Sequence, residues 1–310
     1  MSGRKKILIV GGTGFIGLSV TKEAISRGFS VTVLSKNKTY LSDRLDRVEY
    51  ITADIVLKEE LFDKLNGKFF QYVVNLSGYI NHSDFSNEGD SVFDVHFSGV
   101  RNLVNCLNKA HLVSFIQIGS SDEYGMNTAP QNENQREDPI SPYSLAKVAS
   151  THFLQVLHKT EKFPAIILRP FLVYGPGQGT SRFIPQIIEG CLKDEKFPVS
   201  KGDQIRDFCY IGDFVEAIFV SLGNKRAFGE VINIASGMPV SIKDIVCEVR
   251  GLIGCGRPQF GVIEYRTREN LNLYANTSKS KILLNWSSKT NLKEGLKKTV
   301  ASVKRGLYAG

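Results

Sequence analysis

Apolar, β-branched segments alternate with amphipathic segments over the first half of the chain, and a glycine-rich turn follows the first apolar segment. This alternation is typical of parallel sheets covered by helices on both faces, because each parallel connection needs a crossover. The sequence therefore predicts an α/β fold, a Rossmann-type doubly wound parallel sheet with a smaller C-terminal substrate-binding lobe.

The predicted strands are short and apolar. They cover 7–10, 30–34, 48–52, 72–76, 115–118 and 165–168. Between them, apolar residues recur at spacings of three and four, which predicts helices. The predicted helices cover 16–27, 58–65, 91–110 and 142–159.

The turn GGTGFIG at 11–17 joins the first strand to the first helix. Its glycine spacing suits a tight turn, a close approach of the backbone to a pyrophosphate, and close packing of the helix on the strand. The N–H groups of Phe15 and Ile16 would face the anion at the positive end of the helix dipole. A glycine-rich surface turn is the alternative, but the strand before it and the helix after it favour dinucleotide binding.

The pattern becomes irregular after Arg169 and Pro170. A loop covers 175–179, helices are predicted at 182–192, 242–252 and 292–307, and a short strand is predicted at 231–235. We expect residues 1–174 to form a dinucleotide-binding domain. Residues 175–310 would form mainly a substrate lobe, with some segments returning to the main domain.

The composition narrows the class of protein. With 310 residues, of which 42% are hydrophobic and 23% charged, the chain is globular. The net charge is 39 − 31 = +8, but the basic residues are scattered, which argues against nucleic acid and favours small phosphate-bearing ligands. The five cysteines lack metal-ligand spacing and no long apolar run occurs, so we expect a reduced, cytoplasmic protein without a metal or a membrane partner.

The end of the second predicted strand bears on the choice of cofactor. An Asp or Glu at this place binds the ribose 2′-hydroxyl of NAD in dinucleotide folds. This chain has Ser35, Lys36, Asn37 and Lys38 there, which suit a 2′-phosphate, although the lysines would also fit a solvated loop. We therefore favour NADP(H) over NAD(H). Asp54, after the third strand, is either a partner of the adenine amino group or a loop cap.

Tyr143 and Lys147 lie four residues apart in SPYSLAK, near the start of a predicted helix. This spacing places both side chains on one helix face, where the ammonium favours loss of the phenol proton near neutral pH. Ser120 and Ser121 follow the strand at 115–118, at the edge where parallel sheets bind ligands. A hydroxyl there can stabilise a carbonyl or alkoxide oxygen while Tyr143 transfers its proton.

Six motifs follow one another along nearly the whole chain. They are GGTGFIG (11–17), GSSDEYG (119–125), SPYSLAK (141–147), LRPFLVYGPGQ (168–178), IRDFCYIGD (205–213) and NLKEGL (291–296). Through these motifs the chain resembles the extended short-chain dehydrogenase/reductase family, in its branch of NAD(P)-dependent nucleotide-sugar epimerases, dehydratases and 4-ketoreductases. The resemblance also implies a homodimer formed through a four-helix bundle of 91–110 and 142–159, although intramolecular packing would explain the same apolar faces.

The resemblance implies roles for individual residues. Ser120, Tyr143 and Lys147 would be catalytic, with Tyr143 as the acid/base and Lys147 also holding the nicotinamide ribose, and Asp122 would serve a dehydratase as an acid. The implied cofactor contacts are Gly11, Thr13, Gly14, Phe15, Ile16, Gly17, Ser35, Lys36, Asp54, Ile55, Leu76, Tyr143, Lys147, Pro170 and Val173. The implied substrate contacts are Ser121, Arg182, Arg206 and Arg266.

Among these, Arg206 and Arg266 would hold the diphosphate of a nucleotide sugar, a task that suits a planar fork of donors. Ion pairs with Asp207 or Glu269 are the alternative for these arginines. Two positions depart from the family pattern. His96 stands where Asn is common, which a packed core histidine would explain, and Leu172 replaces an Asn that often contacts the substrate.

The three chemistries of this branch share the Ser-Tyr-Lys set and hydride exchange at a sugar carbon. Dehydration also needs an acid for the C6 hydroxyl and a base for the C5 proton. Asp122 aligns with the acidic position, but Ser121 stands where some dehydratases carry Asp, and Glu123 matches only if one residue is deleted. Because these carboxylates are present, dehydration remains an alternative.

A net reductase must exchange NADPH with the cell pool, which agrees with Lys36 and Lys38. We therefore predict NADPH-dependent reduction of a nucleotide-linked 4-keto-6-deoxysugar by hydride transfer to C4, with Tyr143 as the proton donor. The alternatives are 4-epimerisation or 4,6-dehydration with a retained cofactor and, in a different class, a redox-inactive dinucleotide-binding protein.

Overall fold

The computed structural model describes residues 4–38, 44–265 and 269–308. The chain forms two compact units. The first contains Met1–Gly125, Arg136–Arg169 and Ala217–Ile232, and the second contains Met126–Gln135, Pro170–Glu216 and Asn233–Gly310. Each unit is therefore assembled from segments that are separated in the sequence.

The strands are short. In chain order they are β1 Lys6–Val10, β2 Ser30–Ser35, β3 Val48–Thr52, β4 Tyr72–Asn75, β5 Ser114–Ile118, β6 Ala165–Pro170, β7 Leu172–Tyr174, β8 Lys196–Pro198, β9 Ile205–Tyr210, β10 Val231–Ile234, β11 Pro239–Ser241, β12 Arg257–Gln259 and β13 Asn272–Leu273.

The α-helices vary more in length. They are α1 Phe15–Ser26, α2 Lys58–Leu65, α3 Asp90–Phe93, α4 Gly99–Cys106, α5 Pro142–Glu161, α6 Phe183–Leu192, α7 Ile211–Ser221, α8 Ile242–Ile253, α9 Ser278–Leu284 and α10 Leu292–Tyr308. Two π-helical turns, Phe85–Gly89 and Asp94–Ser98, flank α3. Short 3₁₀ turns lie at Lys109–His111, Ser121–Tyr124 and Lys225–Ala227.

A seven-stranded sheet in the order β10-β6-β5-β4-β1-β2-β3 organises the first unit. The pairs from β6 through to β3 are parallel. The strand order reverses between β1 and β4, so the carboxyl ends of these two strands border the crevice where doubly wound sheets bind ligands. The predicted fold class is confirmed.

Burial explains why these segments are strands and helices. β1, β4 and β5 are buried along nearly their whole length, as expected of parallel strands covered on both faces. Apolar side chains from α2, α4 and α5, among them Leu61, Leu103 and Leu154, pack with Leu8 and Phe115 of the sheet in one core. The central strands of the sheet are thus held by closely packed, buried elements.

The predicted helix at 91–110 is wrong at its C-terminal end. The α-helix stops at Cys106, because Leu107 is extended with φ −73° and ψ 138°. The Asn108 side chain then accepts a hydrogen bond from the Ala110 backbone and starts a separate 3₁₀ turn. The other predicted strands and helices lie within two residues of the observed bounds. The short strands β7–β9 and β11–β13 and the helices α7 and α9 were not predicted.

The second unit has its own core and its own sheets. Strand β9 pairs with β7 and β13 in parallel and with β11 in antiparallel orientation, while β8 pairs with β12 in parallel. Apolar faces of α6, α8 and α10 pack around Ile188, Val246 and Leu296. Strand β9 carries Arg206, so the predicted diphosphate ligand lies on the central strand of this unit.

Candidate active site

The turn after β1 has the geometry that its glycines predict. Gly11 has φ +79°, and a side chain there would lie 2.9 Å from the carbonyl oxygen of Leu76, the residue after β4. A side chain at Gly17 would collide with the carbonyl oxygen of Gly11. Both positions therefore require glycine, one for its left-handed backbone and one for close packing of α1 against the turn.

Gly14 differs from these two glycines because its neighbours leave room for a side chain. The nearest atom to a Cβ built at Gly14 is the Gly11 oxygen, 3.6 Å away, and Gly14 is the exposed residue that precedes α1. Thr13 is exposed, and Phe15 and Ile16 are partly buried. An open backbone at a helix N-terminus is a suitable seat for a pyrophosphate, so these residues fit a bound dinucleotide.

The residues at the ends of β2 and β3 contact one another. Lys36 Nζ lies 2.9 Å from Asp54 Oδ2, and the Ser35 hydroxyl donates to the Asn37 carbonyl. The hydrogen bond to Asp54 raises the pKa of Lys36, and Lys36 in turn holds the pKa of Asp54 below its usual value against the effect of burial. A 2′-phosphate at Lys36 would therefore meet the negative charge of Asp54. Lys38 is exposed.

Tyr143 and Lys147 lie on the buried face of α5. Lys147 Nζ donates a 2.8 Å hydrogen bond to the Ile118 carbonyl at the end of β5 and lies 5.8 Å from the centre of the Tyr143 ring. Burial lowers the pKa of Lys147 from 10.5 to about 8, although the negative charges of Glu123 and Asp122 raise it. The helix and the strand thus bring the predicted base and its ammonium partner together.

Ser120 caps the 3₁₀ turn that follows β5. Its hydroxyl accepts from the Asp122 N–H at 3.1 Å, and its own N–H donates to Glu123 Oε1 at 2.8 Å. This reciprocal arrangement is a capping box, for which the Ser-x-x-Glu spacing at 120–123 is a sequence signal. Ser120 and Ser121 are both buried, at the same strand end as the Ile118 carbonyl.

Two histidines flank the Tyr143 ring. The His96 ring is 4.9 Å away at 86°, and the His82 ring is 5.7 Å away at 82°. His96 Nε2 donates to the Tyr79 carbonyl at 2.8 Å, and burial lowers the pKa of His96 to about 3, so this histidine is neutral. His82 lies 3.7 Å from Asp122. Sequence reasoning did not single out His82, since the contact depends on a loop 40 residues away from Asp122.

Glu123 lies at the centre of a buried group of charges. Arg169 donates to its Oε2 from Nε at 2.9 Å and from Nη2 at 2.6 Å, and the same Nη2 lies 2.7 Å from Glu137. Both side chains of the Arg169–Glu123 pair are fully buried. Glu123, one of the two carboxylates considered for dehydration, is therefore engaged with other protein groups through both oxygen atoms.

The predicted substrate contacts in the second unit are arranged differently. Arg206 Nη2 lies 2.7 Å from Glu269 Oε1, so Arg206 forms an ion pair with one of the two carboxylates considered for it. Asp207 accepts hydrogen bonds from Ser236 and Gly237. Arg182 is exposed and precedes α6. Arg266 lies outside the described residues.

The remaining predicted contacts occupy element ends. Ile55 is buried after β3, and Leu76 donates its N–H to the Val10 carbonyl just beyond β4. Pro170 ends β6, and the Val173 carbonyl accepts from the Gln178 side chain. Leu172 begins β7, where it packs against the core of the second unit.

Metal-binding clusters and membrane-spanning helices were considered for the described residues. Within it, no cluster of three or more His, Cys, Asp or Glu side chains is placed to hold a metal ion. None of the helices in residues 4–38, 44–265 and 269–308 has both the length and the apolar character that spanning a membrane requires.

The family model described as the NAD dependent epimerase/dehydratase family matches residues 7–235. The chain belongs to this family. The resemblance found in the motifs is thereby confirmed, as is the prediction of an NAD(P)-dependent enzyme acting on a nucleotide sugar, in its epimerase or dehydratase alternatives. The match spans the glycine turn, the Ser120 turn and the Tyr143 helix.

Similar proteins in this family cover nearly the whole chain. A putative UDP-glucose 4-epimerase of Methanocaldococcus jannaschii is 28% identical over 95% of this chain and 97% of its own length. Human dTDP-D-glucose 4,6-dehydratase is 27% identical over 96% of this chain and 89% of its own length. The structure of UDP-glucuronic acid 4-epimerase from Bacillus cereus, in complex with UDP-glucuronic acid and NAD, superposes with a TM-score of 0.87 at 26% identity, covering 97% and 99% of the two chains.

Proposed function

We propose that this protein is an NAD-dependent nucleotide-sugar 4-epimerase. The observation that carries the proposal is the state of Glu123, whose carboxylate is fully buried and paired with Arg169. Dehydration needs both an acid and a base beside the Ser-Tyr-Lys set. Glu123 is paired with Arg169, and Ser121 stands where some dehydratases carry Asp. Of the carboxylates considered as the acid or base of a dehydratase, only Asp122 is therefore left.

The relatives also support epimerisation or dehydration better than the predicted NADPH-dependent reduction of a 4-keto-6-deoxysugar. The M. jannaschii relative is named as a UDP-glucose 4-epimerase, and the B. cereus structure is a UDP-glucuronic acid 4-epimerase with bound NAD. We therefore propose a UDP-linked hexose or hexuronic acid as the substrate class, with Arg206 as a ligand of its diphosphate.

The chain's own residues supply the proton chemistry. The Lys147 ammonium stabilises the Tyr143 phenolate, this phenolate accepts the proton of the sugar O4 hydroxyl and becomes the phenol, and the Ser120 hydroxyl donates to O4. NAD bound at the glycine turn would take up the hydride of C4 and return it. When hydride returns to the opposite face of C4, Tyr143 gives its proton back to O4, so the products are an epimer and an unchanged enzyme.

We propose NAD as the cofactor in preference to the predicted NADP(H). The ion pair between Lys36 and Asp54 supports NAD, because a 2′-phosphate would have to compete with the Asp54 carboxylate for the ammonium. An epimerase regenerates its cofactor in each turnover and needs no exchange with an NADPH pool.

The test begins with the purified protein. We expect it to carry tightly bound NAD and to interconvert UDP-glucose with UDP-galactose, or UDP-glucuronic acid with UDP-galacturonic acid, without net oxidation of NADPH. Release of water to give a 4-keto-6-deoxysugar would instead establish a dehydratase. Stoichiometric NADPH oxidation with a 4-keto-6-deoxysugar would establish the reductase.

Tyr143→Phe is the matched control for the chemistry. The phenol is buried beside His96 and its loss removes one oxygen atom, so we expect the fold and NAD binding to persist. Turnover should fall by about 10²–10⁴, the usual contribution of general acid–base catalysis. Turnover that survives this change would rule out Tyr143 as the acid/base.

The oligomeric state and the cellular location are also proposals. We propose a homodimer formed through the helical faces of α3 to α5, which size-exclusion chromatography with light scattering would test. Five cysteines without disulfide partners agree with the reducing cytoplasm.

A further inference from the structure

The carboxylate of Glu123 joins three elements of the first unit. Its Oε1 accepts the Ser120 N–H at 2.8 Å, and its Oε2 accepts the Thr151 hydroxyl at 2.8 Å and two N–H groups of Arg169. Ser120 belongs to the turn after β5, Thr151 to α5 and Arg169 to β6. One buried side chain therefore links the turn of the proposed catalytic serine to the helix of the proposed catalytic tyrosine.

The attachment point on α5 lies close to the catalytic residues. Thr151 follows Lys147 by four residues, which is about one helical turn, and follows Tyr143 by eight, which is about two turns. All three side chains therefore lie on the same buried face of the helix. A shift of Glu123 would change the position of Ser120 relative to that face.

Glu123 also supplies charge to a buried region. The cations there are Lys147 and Arg169, and the anions are Glu123 and the partly buried Glu137, so the four charges sum to zero. Asp122 adds a more exposed negative charge, and the adjacent His96 is neutral. Among the groups that favour the Lys147 ammonium, Glu123 acts most strongly and Asp122 next.

We propose that Glu123 is a positioning residue for catalysis: it fixes Ser120 against α5, and its buried carboxylate, bound to Thr151 one helical turn from Lys147, favours the Lys147 ammonium. The kinetic part of this inference rests on the proposed function, but the protonation of Lys147 does not. A carboxylate that only stabilised the fold would affect neither the Ser120 geometry nor the titration of Lys147.

Four variants distinguish the effect of the Glu123 charge from the effect of its hydrogen bonds. Glu123→Gln removes the charge at constant shape, and Glu123→Asp keeps the charge but shortens the reach to Ser120 and Thr151. Thr151→Val removes only the hydrogen bond from α5. Glu137→Gln is the matched control, because it removes the other carboxylate partner of Arg169 but makes no contact to Ser120 or Thr151 among the described residues.

The kinetic expectations differ between these variants. In Glu123→Gln, kcat should fall about tenfold or more, with KM changed by less than about twofold, the size expected for a lost charge-assisted hydrogen bond. The alkaline limb of its pH profile, which reports loss of the Lys147 proton, should move to lower pH by about one pH unit. Glu123→Asp and Thr151→Val should lower kcat without moving that limb, and Glu137→Gln should leave the limb in place.

A titration that needs no substrate separates this inference from the proposed function. In ¹³Cε-labelled protein, the Lys147 signal, assigned by its loss in Lys147→Arg, should titrate at lower pH in Glu123→Gln than in wild type or Glu137→Gln. This holds even if the wild type epimerises no sugar. An unmoved titration in a folded Glu123→Gln variant overturns the role in charge. If Glu123→Gln does not fold, wild-type kcat in both Glu123→Asp and Thr151→Val overturns the role in positioning.

Discussion

Two arginine–carboxylate pairs, one in each unit, have nearly the same contact distance but differ in burial. Arg169 and Glu123 in the first unit have fully buried side chains and lie 2.6 Å apart. Arg206 and Glu269 in the second unit are 10% and 21% exposed and lie 2.7 Å apart. The pair distance therefore does not indicate what each arginine does.

The difference in burial suggests different roles: the Arg169–Glu123 pair is structural, and the Arg206–Glu269 pair is accessible to a ligand. Around Arg169 water cannot replace a lost partner, so either charge left alone would be costly. At Arg206 solvent reaches both side chains, and the guanidinium is also oriented by the carbonyls of Ile205 and Leu271. In the proposed substrate complex an anionic diphosphate would take the place of Glu269, whereas the Arg169–Glu123 pair is closed to solvent.

The largest expected effect is on stability. Arg169→Met leaves Glu123 and Glu137 without their cation, so we expect the free energy of unfolding to fall by about 3–5 kcal/mol. Arg206→Met should cost less, about 1–3 kcal/mol, because solvent reaches part of both side chains and can replace some of the lost hydrogen bonds. Urea unfolding of both variants measures the difference. Equal losses would show that burial does not distinguish the pairs.

The second effect is on substrate binding. Arg206→Met should raise KM for the UDP-sugar by about ten- to a hundredfold, the value of one or two hydrogen bonds to a charged group, with kcat changed much less. Arg206→Lys keeps the charge but loses the planar fork, so it should recover only part of the affinity. Isothermal titration with UDP gives the same comparison without turnover. If Arg206→Met binds UDP as tightly as the wild type does, Arg206 is not a ligand of the diphosphate.

How many of these features could be predicted from the sequence depends on how far apart the contacting residues lie along the chain. The GGTGFIG turn and the start of α5 are local, and their residues predict their conformations directly. The Ser120–Glu123 capping box was readable from its spacing, but the burial of Glu123 was not, because Arg169 lies 46 residues away on β6. Likewise Lys36 meets Asp54 because β2 and β3 pair in register, with Ser35 opposite Thr52.

Strand β9 illustrates the same limit in the second unit. Its neighbours β7, β11 and β13 are two or three residues long and come from distant parts of the chain. Such short segments carry too few residues for a periodic pattern. The position of Arg206 on the central strand of that sheet follows only from the assembled structure, which also shows Glu269 as the partner among the two carboxylates that the sequence offered.

A smaller effect tests whether Glu269 competes with substrate. Glu269→Gln removes the charge that Arg206 now contacts, so a diphosphate no longer displaces an ion pair. We expect KM for the UDP-sugar to fall by about threefold, in keeping with the modest free energy of a partly exposed pair. The effect should disappear in an Arg206→Met background. A rise in KM would indicate that Glu269 holds Arg206 in its binding orientation instead.

The smallest effect concerns a third pair, Lys36 and Asp54, whose side chains are 70% and 17% exposed. Asp54→Asn frees the ammonium and removes a carboxylate that repels a 2′-phosphate. We expect the ratio of the dissociation constants of NADP⁺ and NAD⁺ to shift about threefold towards NADP⁺, since so exposed a pair contributes little. The ratio is the informative quantity, because any lost contact to adenine affects both nucleotides equally. An unchanged ratio would show that Asp54 does not discriminate against the 2′-phosphate.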